Sequence, residues 1–354
     1  MALSGLVVAC QPGRRDPGAC IDPEDAAQAA SLGDAATSDA ASPDAVEATA
    51  LSSEDLTRIE AWLEGAEPPA PGDFGPRFAA LLPLLDSPDE HLRDELAFSL
   101  YESWLRGEDP APPEARADLA RRLLAAMRDD LPASPRAPLD PAGAYGRSFR
   151  VLVAATVVRA DFESPALSSA QLMEFAELGA RHAGREVDLR GRTEGGWLHP
   201  AAHLADLYSA LVRHPALELD DAPALESAML ATLDGLYARP HGFRFTHGED
   251  ARWAVPLLFG LRGGRLRPEA VRGWVDRHWE LLGRPVAMPF DAEGYAAQRN
   301  LRDLLISWLA NLSLHGGDGA KGQDEPASSK TAREAPPVEP TRDFEHWLAE
   351  RLRG

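Results

Sequence analysis

A chain of 354 residues with 36 basic and 56 acidic side chains carries a formal net charge of -20, which argues against nucleic-acid binding, because a phosphate backbone needs a concentrated basic surface. No apolar run reaches the roughly 20 residues that cross a bilayer as a helix, so no transmembrane segment is expected. Both cysteines, Cys10 and Cys20, precede the first helical pattern. Hydrophobic packing, not disulfides or thiolate-bound metal, is left to hold a core together.

Residues 1–50 read as a disordered acidic tail, with nine Asp or Glu and no Lys or Arg between positions 21 and 55, a composition too poor in apolar surface to fold. Leu6-Val7-Val8-Ala9-Cys10 has the small-residue-then-Cys form of a bacterial lipoprotein processing site, and the polar tract after it suits a tether. Only nine residues precede Cys10 and none is basic, whereas an export signal has a positive start and about 15 to 30 residues. Two readings stand: a cytoplasmic protein with an ordinary tail, and an envelope protein lipid-anchored through Cys10. The second requires more leader ahead of Met1.

From 51 to 315 the pattern is helical. Ser52-Ser53-Glu54-Asp55 caps a first helix with Leu56, Ile59, Trp62 and Leu63 at helical spacing, and Gly65 stops it. Phe78, Leu81, Leu82, Leu84 and Leu85 mark a second. Ser87-Pro88-Asp89-Glu90 then supplies an N-cap, a Pro at the first position and a Glu at the third for a helix running to Trp104-Leu105. Further periodic stretches predict helices at 114–128, 143–160, 168–183, 197–213, 222–238, 249–261, 268–282 and 295–314. No segment alternates with period two for long enough to suggest a sheet. The expectation is an all-α protein, an irregular αα-superhelix or HEAT-like helical array. A disordered linker over 316–341 and a short terminal helix over 342–354 follow it.

The densest polar constellation lies in GGWLHPAAHLADLYSALVRHP, residues 195–215. At 100° per residue His203 lies about 40° from His199, Asp206 about 20° to the other side and Arg213 about 40° away. The four share one stripe, with Leu204, Leu207, Tyr208 and Leu211 on the opposite, core-facing side. Two histidines at i and i+4 are spaced to share a metal ion, and Asp206 could add a ligand or orient an imidazole. Pro200 stands where a zinc protease would carry its glutamate base, so that chemistry is disfavoured. Further ligands would come from His247, Glu249 or Asp250 in THGEDARW, with His182 and Asp188 behind them. The plain alternative is that His199 and His203 are hydrogen-bonded histidines on a solvated helix face. The loop ahead, REVDLRGRTEGG, concentrates Arg185, Asp188, Arg190, Arg192 and Glu194 before Gly195-Gly196, where charged groups meet a helix N-terminus. Trp253, Trp274, Trp279 and Trp308 read as core, and Ser148 lacks the elbow of a serine hydrolase.

REVDLRGRTEGGWLHPAAHLADL resembles the signature of a bacterial family known as domain of unknown function 2785, with SPDEHLRDELAFSL, RSFRVLVAATVVRAD and EDARWAVPLLFGL as supporting likenesses across about residues 75–315. The resemblance implies a helical domain and supplies no activity. The matching positions are Asp188, Arg190, Gly191, Gly196, Trp197, His199, His203, Asp206, Glu249, Asp250 and Arg252. Three functional expectations follow. The first is a binding module in which Asp188, Arg190, Arg192, Trp197, His199, His203, Asp206, Arg213 and Arg252 line a groove for a peptide or small anionic ligand. The second is a metal-dependent hydrolase, with His199 and His203 on a divalent metal cofactor and Asp206, Glu249 or Asp250 as further ligand or base. The third is a structural envelope lipoprotein.

Overall fold

The computed structural model describes residues 52–65, 69–134, 137–239, 241–283, 291–315 and 339–353. The acidic tail, the Cys10 motif and most of the expected linker lie outside the described residues. Capping chemistry opens the helices where the sequence provides it. The Ser52 hydroxyl accepts from the Asp55 amide to start α1 (Ser53–Glu64), and Ser168 with Gln171 forms the same reciprocal box ahead of α6. Between them come α2 (Phe74–Leu81), α3 (Ser99–Arg106), α4 (Pro113–Asp129) and α5 (Ala144–Ala160), with α6 spanning Ser169–Ala183. The helix expected from Ser87 starts later and differently. Ser87 and Asp89 cap the turn, His91–Phe98 is wound as a π-helix, and α3 continues it.

A two-residue hairpin follows, β1 (Arg192–Thr193) paired antiparallel with β2 (Gly196–Trp197). Then come α7 (Pro200–Leu211), α8 (Ala222–Leu233, extended by a π-turn to Ala238), α9 (Glu249–Arg262), α10 (Pro268–Gly283), α11 (Ala292–His315) and α12 (Glu339–Arg353). Twelve α-helices and one hairpin among the described residues make this an all-α protein.

The helices stack in two layers. The odd-numbered α3, α5, α7, α9 and α11 each pack on the next, and α2, α4, α6 and α8 do the same behind them. This is the αα-superhelix plan, in which every second helix returns to the same layer. Neighbours within the odd layer run parallel. Ser148, near the start of α5, meets His203, while Asp161, just past its end, meets His214. Trp253 Nε1 donates to the Ala201 carbonyl and the Arg213 guanidinium lies over Phe259, which sets α9 in the same direction. The N-termini of α5, α7 and α9 therefore gather along one edge.

Placement inside a layer changes the character of α7. The expected amphipathic helix is buried along nearly its whole length, with only Asp206 half-buried, because α5 and α9 flank it while α6 and α8 lie behind. Tyr208 donates to the Ala176 carbonyl at 2.7 Å and accepts from Thr232 at 2.8 Å, which satisfies the polar tip of a large buried ring. Trp253, Trp274 and Trp308 are core residues.

His182, at the end of α6, is a buried neutral histidine whose Nε2 bonds the Met127 carbonyl at 2.9 Å. Burial pushes its pKa down to about 4. Below pH 6.5 the unfolded ring takes a proton that the folded ring refuses until about pH 4, so stability falls as the pH drops through that window. The loss is at most about 3 kcal/mol. Urea titrations at pH 7.5 and 4.5 should show it, with a shallower decline for His182→Gln. Equal declines would assign the acid sensitivity elsewhere.

Candidate functional site

Three local constraints build the site. Arg147 makes a buried two-pronged ion pair with Glu186, at 2.8 and 2.9 Å, and Glu186 Oε1 accepts the amides of Val187 and Asp188, fixing the start of the loop. Asp188 then clamps the Arg190 guanidinium at 2.8 and 2.5 Å. The carbonyls of Arg190 and Gly191 receive the amides of Leu198 and His199, so the D-L-R-G stretch runs alongside the entry to α7.

Pro200 occupies the first position of α7, where its missing N–H costs nothing. It also disfavours the helical conformation for the residue before it. His199 accordingly lies outside the helix at φ 49° and ψ 39°, the one non-glycine residue of positive φ among the described residues. The expected helix over 197–213 is thus corrected at its N-terminus: Gly196–Trp197 is strand, and His199 does not belong to the helical stripe that contains His203 and Asp206. A left-handed non-glycine residue costs about 1–3 kcal/mol and persists where the surroundings impose it.

The turn aims His199 at the start of α9. Its Nε2 stands 3.5 Å from Glu249 Oε1, and His247 completes a group whose ligand atoms all lie within 4.8 Å of one another. His199 is 4% exposed and Glu249 1%. Neither His199 Nε2 nor Glu249 Oε1 has a hydrogen-bond partner among the described residues, although a buried group left so costs about 1–3 kcal/mol or more. The other Glu249 oxygen accepts the His247 amide at 2.8 Å, while the His247 ring is exposed to solvent. Trp197 lies tilted against His199 with centroids 4.6 Å apart and meets His247 edge-on. Burial, with the charges of Arg252 and His247 adding to it, pushes His199 down to about 3. The imidazole is therefore neutral, the form that can bind a metal.

Gly191 is the close neighbour of all three. A β-carbon there would fall 2.5 Å from His247 Nδ1, 2.7 Å from Glu249 Oε1 and 3.0 Å from His199 Cδ2. Gly191→Ala should therefore weaken any ligand held by the three by at least about tenfold, at a stability cost of about 1–3 kcal/mol. A chelator-competition titration reads the first and a urea melt the second.

The remaining candidates have other partners. His203 is buried, edge-on to Phe149. The single proton of the Ser148 hydroxyl goes to the Leu198 carbonyl, so His203 Nδ1 must itself donate to Ser148, at 2.8 Å to the hydroxyl and 3.1 Å to the carbonyl. That nitrogen cannot hold a metal, and Ser148 is no nucleophile. Among the described residues the ligand atoms that gather within 4.8 Å are those of His199, His247 and Glu249, while the His203 ring stands edge-on to His199 with centroids 6.2 Å apart. Asp206 pairs with Arg252 at 2.7 Å, Asp250 accepts from Ser307 and Arg192 lies over Trp197, 3.7 Å from Glu90. Arg213 is bound to Ser209, nearly three turns on from His203. With α5 and α9 against it, the His199 to Arg213 stripe is not one continuous open groove. Arg93 went unnoticed as a candidate. It is 0% exposed and donates to the Gly195 and Trp197 carbonyls, and its only sequence signal is its place in SPDEHLRDELAFSL.

No curated protein and no solved structure matches the chain. Residues 139–308, which contain His199, His247, Glu249 and Gly191, match the model described as Protein of unknown function (DUF2785). The matched stretch is 170 of the 354 residues, and the site lies within it.

Proposed function

We propose that this domain binds one divalent transition metal of the zinc class through His199, His247 and Glu249, and uses it with a coordination position left open. The carrying observation is the pair of unpartnered buried atoms, His199 Nε2 and Glu249 Oε1, 3.5 Å apart. Two ligand atoms bound at zinc distances in a tetrahedron stand about 3.4 Å apart, so one ion satisfies both without moving either. Two His and one Glu is a ligand set of catalytic zinc, which keeps its fourth position for water, and the exposed His247 ring gives that position access. The N-termini of α7 and α9 oppose a cation by about 0.3–1 kcal/mol each. That is small beside the roughly 10–16 kcal/mol with which zinc-finger peptides bind structural zinc. The chemistry favoured is metal-assisted hydrolysis.

The test is the metal content of the purified chain by plasma mass spectrometry, with thermal melting before and after chelation. One equivalent of metal and a chelator-dependent fall in Tm are expected. A metal-free protein that takes up no zinc and melts unchanged would sink the reading.

A further inference from the structure

α7 brings a second imidazole to the edge of the metal candidates. The His203 amide donates to the His199 carbonyl at 3.0 Å, and its ring stands perpendicular to that of His199 with centroids 6.2 Å apart. His203 is 4% exposed, and Phe149 of α5 meets it edge-on at 5.2 Å. No carboxylate makes an ion pair with it among the described residues, so a charged ring would be an unpaired buried cation. The imidazole is therefore neutral, with one N–H and one lone pair.

Which nitrogen carries the proton is fixed by Ser148. Nδ1 lies 3.1 Å from the Ser148 carbonyl, which can only accept, and 2.8 Å from a Ser148 hydroxyl whose proton goes to the Leu198 carbonyl. Nδ1 is the donor. Nε2 keeps a lone pair that no donor occupies among the described residues. Packing decides where that lone pair points. α7 runs between α5 and α9. Ser148 belongs to α5, so Nδ1 faces α5, and Nε2, at the far side of the ring, is turned away from it toward α9, where His199 meets Glu249.

His203 stands outside the group of three whose ligand atoms gather within 4.8 Å, so it is not an equal partner in holding the ion. A water on the ion extends the reach. With a metal–oxygen bond of about 2.1 Å and a hydrogen bond of about 2.9 Å, an acceptor stands up to about 5 Å from the ion.

We propose that His203 Nε2 accepts a hydrogen bond from the water in the open coordination position and so turns the oxygen of that water toward a substrate. His203 is then a positioning residue, kept in its accepting form by Ser148, as an outer partner fixes the ring of a ligating histidine. This role rests on the metal-binding reading and employs the one imidazole of the cluster that the ligand set leaves over.

Nuclear magnetic resonance of the full chain, with its histidine nitrogens isotopically labelled, tests it. The chain is compared metal-free, loaded with zinc, and loaded with a spin-active cadmium isotope. His203 is expected as the Nδ1–H form throughout. Zinc should move its Nε2 resonance upfield while Nδ1 moves far less, and cadmium should split the nitrogens of His199 and His247 but not those of His203. H203N, whose side-chain NH2 can still donate to Ser148 but which lacks Nε2, should retain one equivalent of zinc, its affinity falling by no more than the roughly 10–100-fold of a lost outer partner. An Nε2 resonance that stays put, or that moves together with Nδ1, overturns the proposal. Splitting of His203 by cadmium, or loss of zinc in H203N as complete as in H199A, makes it a fourth ligand and overturns it too. If H203N does not fold, the spectra of the native chain decide alone. A chain that takes no metal sinks the metal reading and this role with it, whereas metal on His199 and His247 beside an unmoved His203 sinks this role alone.

Discussion

Glu249→Gln should purify without stoichiometric metal, its zinc affinity lowered by more than about 100-fold, beyond the 10–100-fold typical of losing a partner behind a ligand. The substitution is close to isosteric. The glutamine carbonyl oxygen can still accept the His247 amide that Glu249 Oε2 now holds at 2.8 Å, so the start of α9 is kept. The amide group that replaces Oε1 can donate to His199 Nε2 across the 3.5 Å gap, which pairs two atoms that are otherwise unpartnered. A neutral group also removes the desolvation cost of a carboxylate that is 1% exposed. The metal-free variant should therefore be as stable as the metal-free native chain or more so. Its Tm should be indifferent to chelator, whereas the native protein loses the binding contribution that excess metal adds to stability. His199→Ala should lose metal as completely. Native metal content in either variant would remove the site.

Why the site was half legible follows from distance along the chain. His199, His247 and Glu249 could each be named from residue type, because THGEDARW opens a helix with a histidine and two acids. Their meeting depends on α7 and α9 being parallel neighbours in one layer, a relation between segments about 50 residues apart that no local period carries. Periodicity erred where it was most regular. His199 and His203 at i and i+4 suggested one ion between them, yet Pro200 starts the helix, His199 lies in a left-handed turn, and the ligand atoms that gather with it are those of His247 and Glu249. The signal for that turn was present, since a proline at the first position marks the preceding residue as non-helical. The helical ranges fared well because caps are local: the Ser52 box formed as the sequence reads. The hairpin was missed because two residues per strand give no alternation to see.

Arg93→Met should cost about 3–5 kcal/mol of stability, and Arg93→Lys most of the same. The guanidinium is 0% exposed and gathers separate stretches of chain: it donates to the Ser87 carbonyl at 2.8 Å and to those of Gly195 and Trp197 at 2.9 and 3.3 Å. It also pairs with Asp94 at 2.7 Å and lies 4.1 Å from the Tyr145 ring. Lysine supplies the charge but not the planar fork, and its single ammonium cannot reach all three carbonyls. Asp94 responds to the loss less than its partner suggests, because burial, against the pull of Arg93, already raises its pKa to about 6, and it can take a proton. The cost falls on the hairpin. Gly195 and Trp197 carry Arg93's grip to the indole that lies against His199, so the folded variants should also bind zinc about 10–100-fold more weakly, the scale of a lost outer partner. Urea unfolding and chelator competition measure the two effects separately. An Arg93→Lys chain within 1 kcal/mol of native stability would mean that charge alone holds the hairpin. Arg93 lies within the π-wound turn at His91–Phe98, which buries it together with Leu96 and Ala97, so the same substitution also tests what holds that turn.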